Sequence, residues 1–310
     1  MNHLPMEVHL HTNNTCNLQC LHCYNGSGCR VVPEILPVPF VIDCLKWFHE
    51  HYDVHFHLEG GEIFLREDIL TAMNELPDEV LGRITITTNG TIAVHTPGIL
   101  NMLRKLEVLR VSVEGHTDAQ QQAVRRINLD NVLKNASFYR DAGVPVSLRV
   151  TLNRTNYDGF VTKTLPTLFE LGFRQIQVYE FQQVGRGEHN HTLALDHGIS
   201  RFLTELALHP EQVTNSLRVM FPIGRRDELL EHKAALEQAG FTVSDVEPES
   251  SISIHANGDV YLCPWEDRPD RCVMNLLQTG LEGLDKKLEQ MELVHTCGHC
   301  SALRVSNGRG

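Results

Sequence analysis

The chain has 310 residues, of which 42% are hydrophobic, enough for one large domain plus a small one. The absence of a run of about 18 apolar residues and of a basic-plus-apolar leader argues against a membrane span or an export signal. A net charge of −12 disfavours nucleic acid as a partner, and nine cysteines without an export signal predict a reducing, cytoplasmic location rather than a disulfide framework.

Strand-like and helix-like stretches alternate along most of the chain. This β/α alternation predicts a parallel sheet covered by helices, and six repeats are too few for a closed eight-stranded barrel. We therefore expect an α/β fold: an open, partial (β/α)6 TIM-like barrel over residues 1–220, followed by a small α+β domain over residues 221–310. The predicted strands are 7–12, 53–58, 83–88, 108–113, 146–151 and 174–180, and the predicted helices are 38–51, 66–76, 97–106, 128–142 and 157–171.

A cysteine-rich loop follows the first predicted strand, with the spacing CxxxCxxC at Cys16, Cys20 and Cys23. Thiolates are soft ligands that select iron–sulfur clusters or zinc. A structural zinc site needs a fourth ligand, whereas three cysteines can hold a cubane that keeps one open iron. The spacing therefore favours a cluster. A zinc site that also uses Cys29 or His22 is the alternative.

A Gly-Gly-Glu motif, Gly60-Gly61-Glu62, follows the second predicted strand. The glycines let the backbone approach a ligand closely, and the glutamate offers an acceptor for an ammonium group. The cysteine loop and this motif, in this order, resemble the radical SAM superfamily, where SAM is S-adenosylmethionine. The family usually has proline where this chain has Ile63, and an aromatic residue where it has His22.

The resemblance implies a [4Fe–4S] cluster on Cys16, Cys20 and Cys23. Its open iron would bind the amino and carboxylate groups of S-adenosylmethionine, and Glu62 with the backbone of Gly60 and Gly61 would hold the amino group. Arg149 would pair with the methionine carboxylate, with a structural ion pair as the alternative. The further residues assigned to this cofactor site are Tyr24, Asn89, Ser112 and Glu114.

One face of each predicted strand is polar. Because successive side chains point to opposite faces, the apolar residues would pack under the helices and the polar ones would line a wet or ligand-filled lumen. A solvated outer sheet face is the alternative. The histidines of this set would contact cofactor or substrate, and their spacing gives little support for a dedicated metal site. The set comprises Glu7, His9, His11, Asp53, His55, His57, Glu59, Thr85, Thr87, Asn89, Ser112, Glu114, Ser147, Arg149, Thr151, Gln175, Gln177 and Tyr179.

The C-terminal part has a different pattern: a helix at 225–239, a strand at 241–246, and a hairpin of 252–256 and 260–263 around Asn257-Gly258. The stretch 258–276 resembles the auxiliary-cluster domains called SPASM and its short form, twitch. This implies a second [4Fe–4S] cluster, with Cys263, Cys272, Cys297 and Cys300 as ligands. A structural zinc is one alternative. Cys272 or Cys29 as a free thiol that donates a hydrogen atom in catalysis is another.

The resemblance implies an oxidoreductase or epimerase that reductively cleaves S-adenosylmethionine to a 5′-deoxyadenosyl radical, which then removes a substrate hydrogen. Residues 112–115 are similar to the Ser-(Ile/Val)-Asp-Gly motif of peptide-modifying members, and with residues 184–187 they favour a ribosomally made peptide as substrate. The implied partners are a flavodoxin- or ferredoxin-type electron donor and a separate leader-peptide-binding protein. The alternatives are a natural-product enzyme acting on a small molecule of the aminoglycoside, sugar or nucleoside type, and a non-catalytic zinc-binding scaffold.

Overall fold

The computed structural model describes residues 6–245, 250–284, 286–287 and 302–307. Its strands are β1 (Met6–His11), β2 (Val54–Glu59), β3 (Ile84–Thr88), β4 (Val108–Val113), β5 (Val146–Leu152), β6 (Gln175–Glu180), β7 (Ser216–Pro222), β8 (Thr242–Asp245), β9 (Ser250–Ile254), β10 (Asp259–Tyr261), β11 (Met274–Asn275) and β12 (Ala302–Ser306). Its α-helices are α1 (Val38–His51), α2 (Glu67–Ala72), α3 (Asp78–Leu81), α4 (Pro97–Leu103), α5 (Asp118–Arg125), α6 (Leu129–Asp141), α7 (Leu165–Glu170), α8 (Ser200–Leu208), α9 (Arg226–Gln238) and α10 (Leu276–Thr279).

The described strands form one open sheet in the order β11-β10-β9-β1-β2-β3-β4-β5-β6-β7-β12-β8. Strands β1 to β7 pair in parallel, each with the next along the chain. Parallel neighbours require a crossover connection, and the helices between the strands supply it. The predicted α/β fold with a partial, unclosed barrel is therefore confirmed, and β7 adds a seventh parallel strand.

Two predicted helices differ from the observed elements. The helix expected over 66–76 is α2, followed by a 3₁₀-helix at Met73–Glu75. The expected helix over 157–171 is a short π-helix at Phe160–Thr164 followed by α7, which has Pro166 in its first turn. Proline has no backbone N–H and its ring crowds the preceding turn, so an α-helix tolerates it at its start but not in its middle. The regular helix consequently begins only at Leu165.

The polar face of the barrel strands is enclosed for much of its length. Glu59, Ser112, Ser147 and Gln177 are buried, although they alternate along their strands with the apolar residues of the core. The solvated-face alternative is therefore wrong for this part of the sheet. Asp53, just before β2, is an exception, because its side chain is 58% exposed.

The C-terminal strands extend both edges of the same sheet. The predicted hairpin is present as β9 and β10, which pair antiparallel, and β9 also pairs in parallel with β1. At the other edge β12 lies between β7 and β8. The predicted domain boundary after residue 220 falls within β7, and the division into two domains stays a prediction. Within the described residues, no helix has the length and apolar character needed to cross a membrane.

Candidate functional site

The three predicted metal ligands line one cavity at the carboxyl ends of the barrel strands. Cys16, Cys20 and Cys23 share this cavity, of about 120 Å³, with the two glycines of the Gly-Gly-Glu motif. The other predicted site residues on its wall are Tyr24, Asn89, Ser112 and Arg149. The carboxyl ends of parallel strands are where folds of this kind place their active sites. The fold thus brings the two sequence motifs to one place.

The cysteine loop surrounds its thiols with polar groups. The side-chain amide of Asn89 lies 3.7 Å from Cys16 Sγ, Arg125 Nη1 lies 3.9 Å from Cys20 Sγ, and the Cys23 thiol donates to Asn25 Oδ1 at 3.0 Å. Burial raises the pKa of the Cys20 thiol to about 11, so without a metal this thiol is protonated. A bound metal displaces such protons because its ligand is the thiolate. Three soft donors around one cavity fit an iron–sulfur cluster.

Cys29 lies apart from these three thiols. It is exposed, its sulfur is 3.4 Å from Gln19 Nε2, and it is not part of the cavity wall. The geometry therefore gives no support to Cys29 as a fourth ligand in this cavity. Its role as a hydrogen-atom donor stays a prediction.

The diglycine packs directly on the cysteine loop. A Cβ atom at Gly61 would lie 1.9 Å from the Thr15 carbonyl oxygen, and one at Gly60, whose φ is +145°, would lie 2.4 Å from that of Asn13. The Gly61 amide donates to the Asn13 carbonyl at 2.7 Å, and the Glu62 amide donates to the Thr15 carbonyl at 3.0 Å. Both positions therefore require glycine, because any side chain would push the loop away from β2.

Glu62 fastens the end of β3 to this motif. Its carboxylate accepts hydrogen bonds from the Thr88 hydroxyl and the Asn89 backbone amide, each at 2.7 Å, and from the Phe64 amide at 3.0 Å. The residue is buried, which raises the pKa of its carboxyl, and it is not part of the cavity wall. These contacts give Glu62 a bracing role. Its predicted grip on the cofactor's amino group stays a prediction.

Glu114 occupies a different place from the one predicted for a cofactor contact. Its fully buried carboxylate lies 2.7 Å from His22 Nε2 and 2.6 Å from Arg125 Nε, behind the cavity wall. Burial raises the pKa of this carboxyl, but the neighbouring His22 and Arg125 hold it below its usual range. Glu114 thus supports His22 inside the cysteine loop. Sequence patterns did not single out Arg125.

Arg149 lies on the cavity wall and has unused hydrogen-bond donors among the described residues. Its Nη1 lies 3.8 Å from Glu59 Oε2, beyond hydrogen-bonding distance, and its guanidinium stacks 4.7 Å from the Tyr179 ring centre. It donates no hydrogen bond to any residue that the structure describes. Arg125, by contrast, is bound to Glu114. The geometry is compatible with both predictions for Arg149, a ligand carboxylate and a structural partner.

A network of titratable groups lies in the lumen on β1 and β2. Glu7, His9 and His57 bring one ligand atom each within 4.8 Å of the others, a spacing that could hold a metal ion. Arg110 argues against a metal: its Nη1 lies 2.9 Å from His57 Nδ1. A guanidinium can only donate, so the neutral His57 ring carries its proton on Nε2, the atom that faces Glu7. We therefore interpret the cluster as an ionic network.

The loop after β10 closes one side of the cavity. Trp265 is part of the cavity wall and packs edge-on against Tyr24, with ring centres 4.8 Å apart. The Trp265 backbone amide lies 3.4 Å from the sulfur of Cys263, which is buried. Cys263 is disulfide-bonded, so it could serve as a cluster ligand only in its reduced form. Cys272 is a free thiol near the Met274 carbonyl, outside the cavity wall. Cys297 and Cys300 lie outside the described residues.

Comparison with known protein families gives a match over the barrel. The family model of the radical SAM superfamily matches residues 10–171, more than half of the 310 residues. This stretch begins in β1 and ends just after α7, so it contains the cysteine loop, the Gly-Gly-Glu motif and the strands that carry Asn89, Ser112 and Arg149.

Curated relatives include enzymes of different names. The chain is 27% identical over 191 residues to a probable GTP 3′,8-cyclase of Thermoplasma volcanium, covering 59% of this chain and 56% of the relative. It is 28% identical over 177 residues to an AdoMet-dependent heme synthase of Methanosarcina barkeri, covering 56% and 50%. The chain therefore spans about half the length of these two relatives. A pre-heme d1 synthase of Dinoroseobacter shibae is 23% identical over 332 residues, covering 94% and 78%.

Solved structures share the fold over most of the chain. Streptococcus suis SuiB bound to the precursor peptide SuiA aligns with a TM-score of 0.66 and 14% identity, covering 91% of this chain and 64% of SuiB. The protein anSMEcpe with bound AdoMet and the Cp18Cys peptide aligns with a TM-score of 0.65 and 15% identity, covering 94% and 81%. At this identity the likeness shows the fold.

Proposed function

This protein belongs to the radical SAM superfamily, and we propose that it modifies a ribosomally made peptide by removing a hydrogen atom from it. The observation that carries this proposal is the single cavity in which three cysteines, two glycines and Arg149 meet. The peptide substrate is supported by SuiB and anSMEcpe, whose structures contain peptides and share the fold over more than nine tenths of this chain.

The family implies a [4Fe–4S] cluster and S-adenosylmethionine, and the residues present fit both groups. Cys16, Cys20 and Cys23 would hold the cluster as thiolates. Gly60 and Gly61 expose backbone to the cavity at the point where a Cβ atom could not be placed. Arg149 has free donors for a carboxylate. When bound, the cluster and S-adenosylmethionine supply a 5′-deoxyadenosyl radical that takes a hydrogen atom from the substrate.

The protein's own residues position the reactants and exclude water. Asn89 and Ser112 face the cavity from the ends of β3 and β4, where they can orient a bound nucleoside. Tyr24 and Trp265 form an aromatic wall on the side of the C-terminal loop. A radical site must be shielded from competing quenchers, and these two large side chains keep water and small reductants out on that side.

We also propose an auxiliary [4Fe–4S] cluster on Cys263, Cys272, Cys297 and Cys300. The support is the position of the Cys263 loop, which reaches the cavity through Trp265, two residues further on. A fully ligated cluster there could accept an electron from the substrate and favour an oxidation or a crosslink. If Cys272 is instead a free thiol that donates a hydrogen atom, the outcome is epimerisation.

A second candidate function is the modification of a small molecule, such as a nucleoside-type, sugar or aminoglycoside intermediate. The curated relatives favour it, because none of the three quoted above is named as a peptide-modifying enzyme. The lumen, rich in hydrogen-bonding groups, would suit such a substrate as well as a peptide side chain. The leader-peptide-binding partner, the flavodoxin- or ferredoxin-type donor and the cytoplasmic location remain predictions.

Metal analysis after anaerobic reconstitution tests the cofactors. We expect about eight irons per chain, falling to about four when Cys16, Cys20 and Cys23 are all replaced by alanine. About four irons falling to none would reject the auxiliary cluster. Zinc at both cysteine groups, without iron and without cleavage of S-adenosylmethionine, would reject the enzyme and favour the zinc-binding scaffold.

Substrate assays then separate the two candidates. Reconstituted protein with S-adenosylmethionine and a flavodoxin reductant is incubated with short peptides encoded beside its gene, and in parallel with nucleoside and sugar intermediates. A peptide product that has lost two hydrogens, or has one inverted residue, supports the peptide proposal. Turnover of the small molecules alone would overturn it.

A further inference from the structure

The segment after β6, residues 184–187, is hydrogen-bonded to the cysteine loop. Residues 184–187 read Val-Gly-Arg-Gly, and their similarity to peptide maturases predicts a link with the substrate. In the structure this segment begins a 3₁₀-helix at Gly185–His189 that lies against the cysteine loop. The Arg186 amide donates to the Cys23 carbonyl at 2.9 Å. The segment therefore contacts the backbone of a predicted cluster ligand.

The side chain of Arg186 joins the middle cysteine of the ligand run to the residues that follow its last cysteine. Its Nη1 donates to the Cys20 carbonyl at 2.9 Å, and its Nη2 donates to the carbonyls of Gly26 and Ser27 at 2.8 and 2.6 Å. The planar guanidinium presents its donors in a fixed fork, so these three oxygens are held in one geometry. Backbone and side chain together bind four carbonyls between Cys20 and Ser27.

Two neighbours of Arg186 strengthen this grip. Gly185 has φ +55°, and a Cβ atom there would lie 2.1 Å from the Tyr24 carbonyl oxygen, so the segment approaches as closely as a glycine permits. The Asn190 side-chain amide donates to the Leu21 carbonyl at 3.0 Å and to the Arg186 carbonyl at 2.9 Å. The cysteine loop is thereby fastened between Cys20 and Ser27.

Arg186 and Arg125 both contact Cys20, but they differ in whether a carboxylate neutralises their charge. Arg125 forms a salt bridge with Glu114, whereas no carboxylate pairs with Arg186 within the described residues. The positive charge of the half-buried Arg186 is therefore not offset by a neighbouring carboxylate in the described part of the chain. Three thiolates and a cluster would bring negative charge to this loop, and an unneutralised guanidinium bound to the Cys20 carbonyl would lower the electrostatic cost of that charge.

We propose that Arg186 is a positioning residue that holds the cysteine loop in its cluster-binding conformation, rather than a contact for the substrate. The part of this proposal that concerns the metal-free protein, where Arg186 orders the loop, does not depend on the proposed function. The effect of Arg186 on a bound cluster does rest on the proposed function.

Thiol labelling of the metal-free protein tests the first part. Mass spectrometry follows alkylation of each cysteine in wild type, Arg186→Met, Arg186→Lys and the control Arg201→Met, whose arginine is 61% exposed on α8. We expect Cys16 and Cys23 to react about tenfold faster in Arg186→Met, since three hydrogen bonds that oppose opening of the loop are lost. Exposed Cys29 should be unaffected, and buried Cys44 should stay protected in every folded variant.

Unchanged labelling of Cys16 and Cys23 in Arg186→Met would overturn the proposal. If Cys44 also reacts, the Arg186→Met variant has unfolded, and Arg186→Lys decides the question. Because an ammonium cannot span three carbonyls, Cys16 and Cys23 should still react faster in Arg186→Lys than in the Arg201→Met control. Wild-type labelling rates in Arg186→Lys would overturn the proposal.

A potentiometric titration followed by electron paramagnetic resonance tests the charge in reconstituted protein. We expect the reduction potential of the cluster perturbed by S-adenosylmethionine to fall in Arg186→Met and to stay near the wild-type value in Arg186→Lys, because only the former loses the positive charge. If Arg186 acted only through its hydrogen bonds and not through its charge, the reduction potentials of the two variants would be alike. A wild-type chain that binds no cluster would reject the proposed function, while the labelling result would still decide the role of Arg186 in ordering the loop.

Discussion

Glu114 Oε1 lies 2.7 Å from His22 Nε2, so a fully buried carboxylate just after β4 touches the residue between the second and third cysteines of the ligand run. The same oxygen lies 2.6 Å from Arg125 Nε on α5. One carboxylate therefore joins the barrel sheet, a covering helix and the cysteine loop. A residue predicted to touch the cofactor supports the loop that would carry the cluster.

Replacing Glu114 should destabilise the metal-free protein strongly. In Glu114→Gln, Arg125 stays buried without its carboxylate, and removing one partner of a buried ion pair costs on the order of 3 kcal/mol in unfolding free energy. Chemical denaturation of wild type and variant measures this. The control is Glu211→Gln, whose side chain is 61% exposed. A loss below about 1 kcal/mol, similar to that of a surface pair, would contradict the assigned role.

The diglycine allows a steric prediction. Gly61→Ala places a methyl group 1.9 Å from the Thr15 carbonyl oxygen, so either β2 or the cysteine loop must move. We expect a loss of at least about 2 kcal/mol in stability and an incomplete iron content after reconstitution. Gly98→Ala in α4 is the matched control, because the nearest atom to its added methyl group is 3.8 Å away. Normal iron binding and stability in Gly61→Ala would show that the loop has room to adjust.

Part of this site was readable from the sequence and part was not. The cysteine spacing and the Gly-Gly-Glu motif are local signals, and the structure brings both to one cavity. Helix α5 also has a local signal, the capping box of Thr117 and Gln120, although the predicted helices omit it. The segment that contains Arg186 has one as well, but that signal predicts a link with the substrate. Arg186 instead binds a carbonyl 166 residues away, and only the curvature of the barrel brings the segment after β6 beside the loop after β1. Contacts of this kind depend on topology, which periodicity does not report.

The lumen histidines predict a pH dependence of stability. Burial alone would lower the pKa of His9, but Glu59 at 2.7 Å and Glu7 raise it to about 9, above its ordinary value of 6.5. A group whose pKa is raised by folding contributes its full stabilisation of the folded state at pH values below its pKa in the unfolded state. For His9 this contribution is lost as the pH rises through about 9, its pKa in the folded state. It amounts to about 3 kcal/mol at most.

The His9 prediction is measured as a difference between variants. The free energy of unfolding of wild type should fall between about pH 6 and pH 10 more steeply than that of His9→Gln, which has no ring to titrate. His197→Gln, an exposed position, should follow wild type. If wild type and His9→Gln lose stability in parallel over this range, His9 is not the charged partner of Glu59. Added zinc should leave the wild-type curve unchanged, because Arg110 fixes the His57 proton on the nitrogen that faces Glu7.

Arg149 offers the sharpest test of cofactor binding, because its two interpretations predict different results. If its free guanidinium donors bind the methionine carboxylate, Arg149→Met should weaken the binding of S-adenosylmethionine about 10- to 100-fold, the usual worth of a charge-assisted pair. Equilibrium binding to reconstituted protein measures this. Arg154→Met is the control, since Arg154 follows β5 by two residues and its side chain is 60% exposed. If Arg149 only balances Glu59, 3.8 Å away, the affinity should stay within about twofold of wild type while the protein loses stability. Arg149→Lys separates charge from shape: a single ammonium keeps the charge but not the fork, so we expect an intermediate affinity.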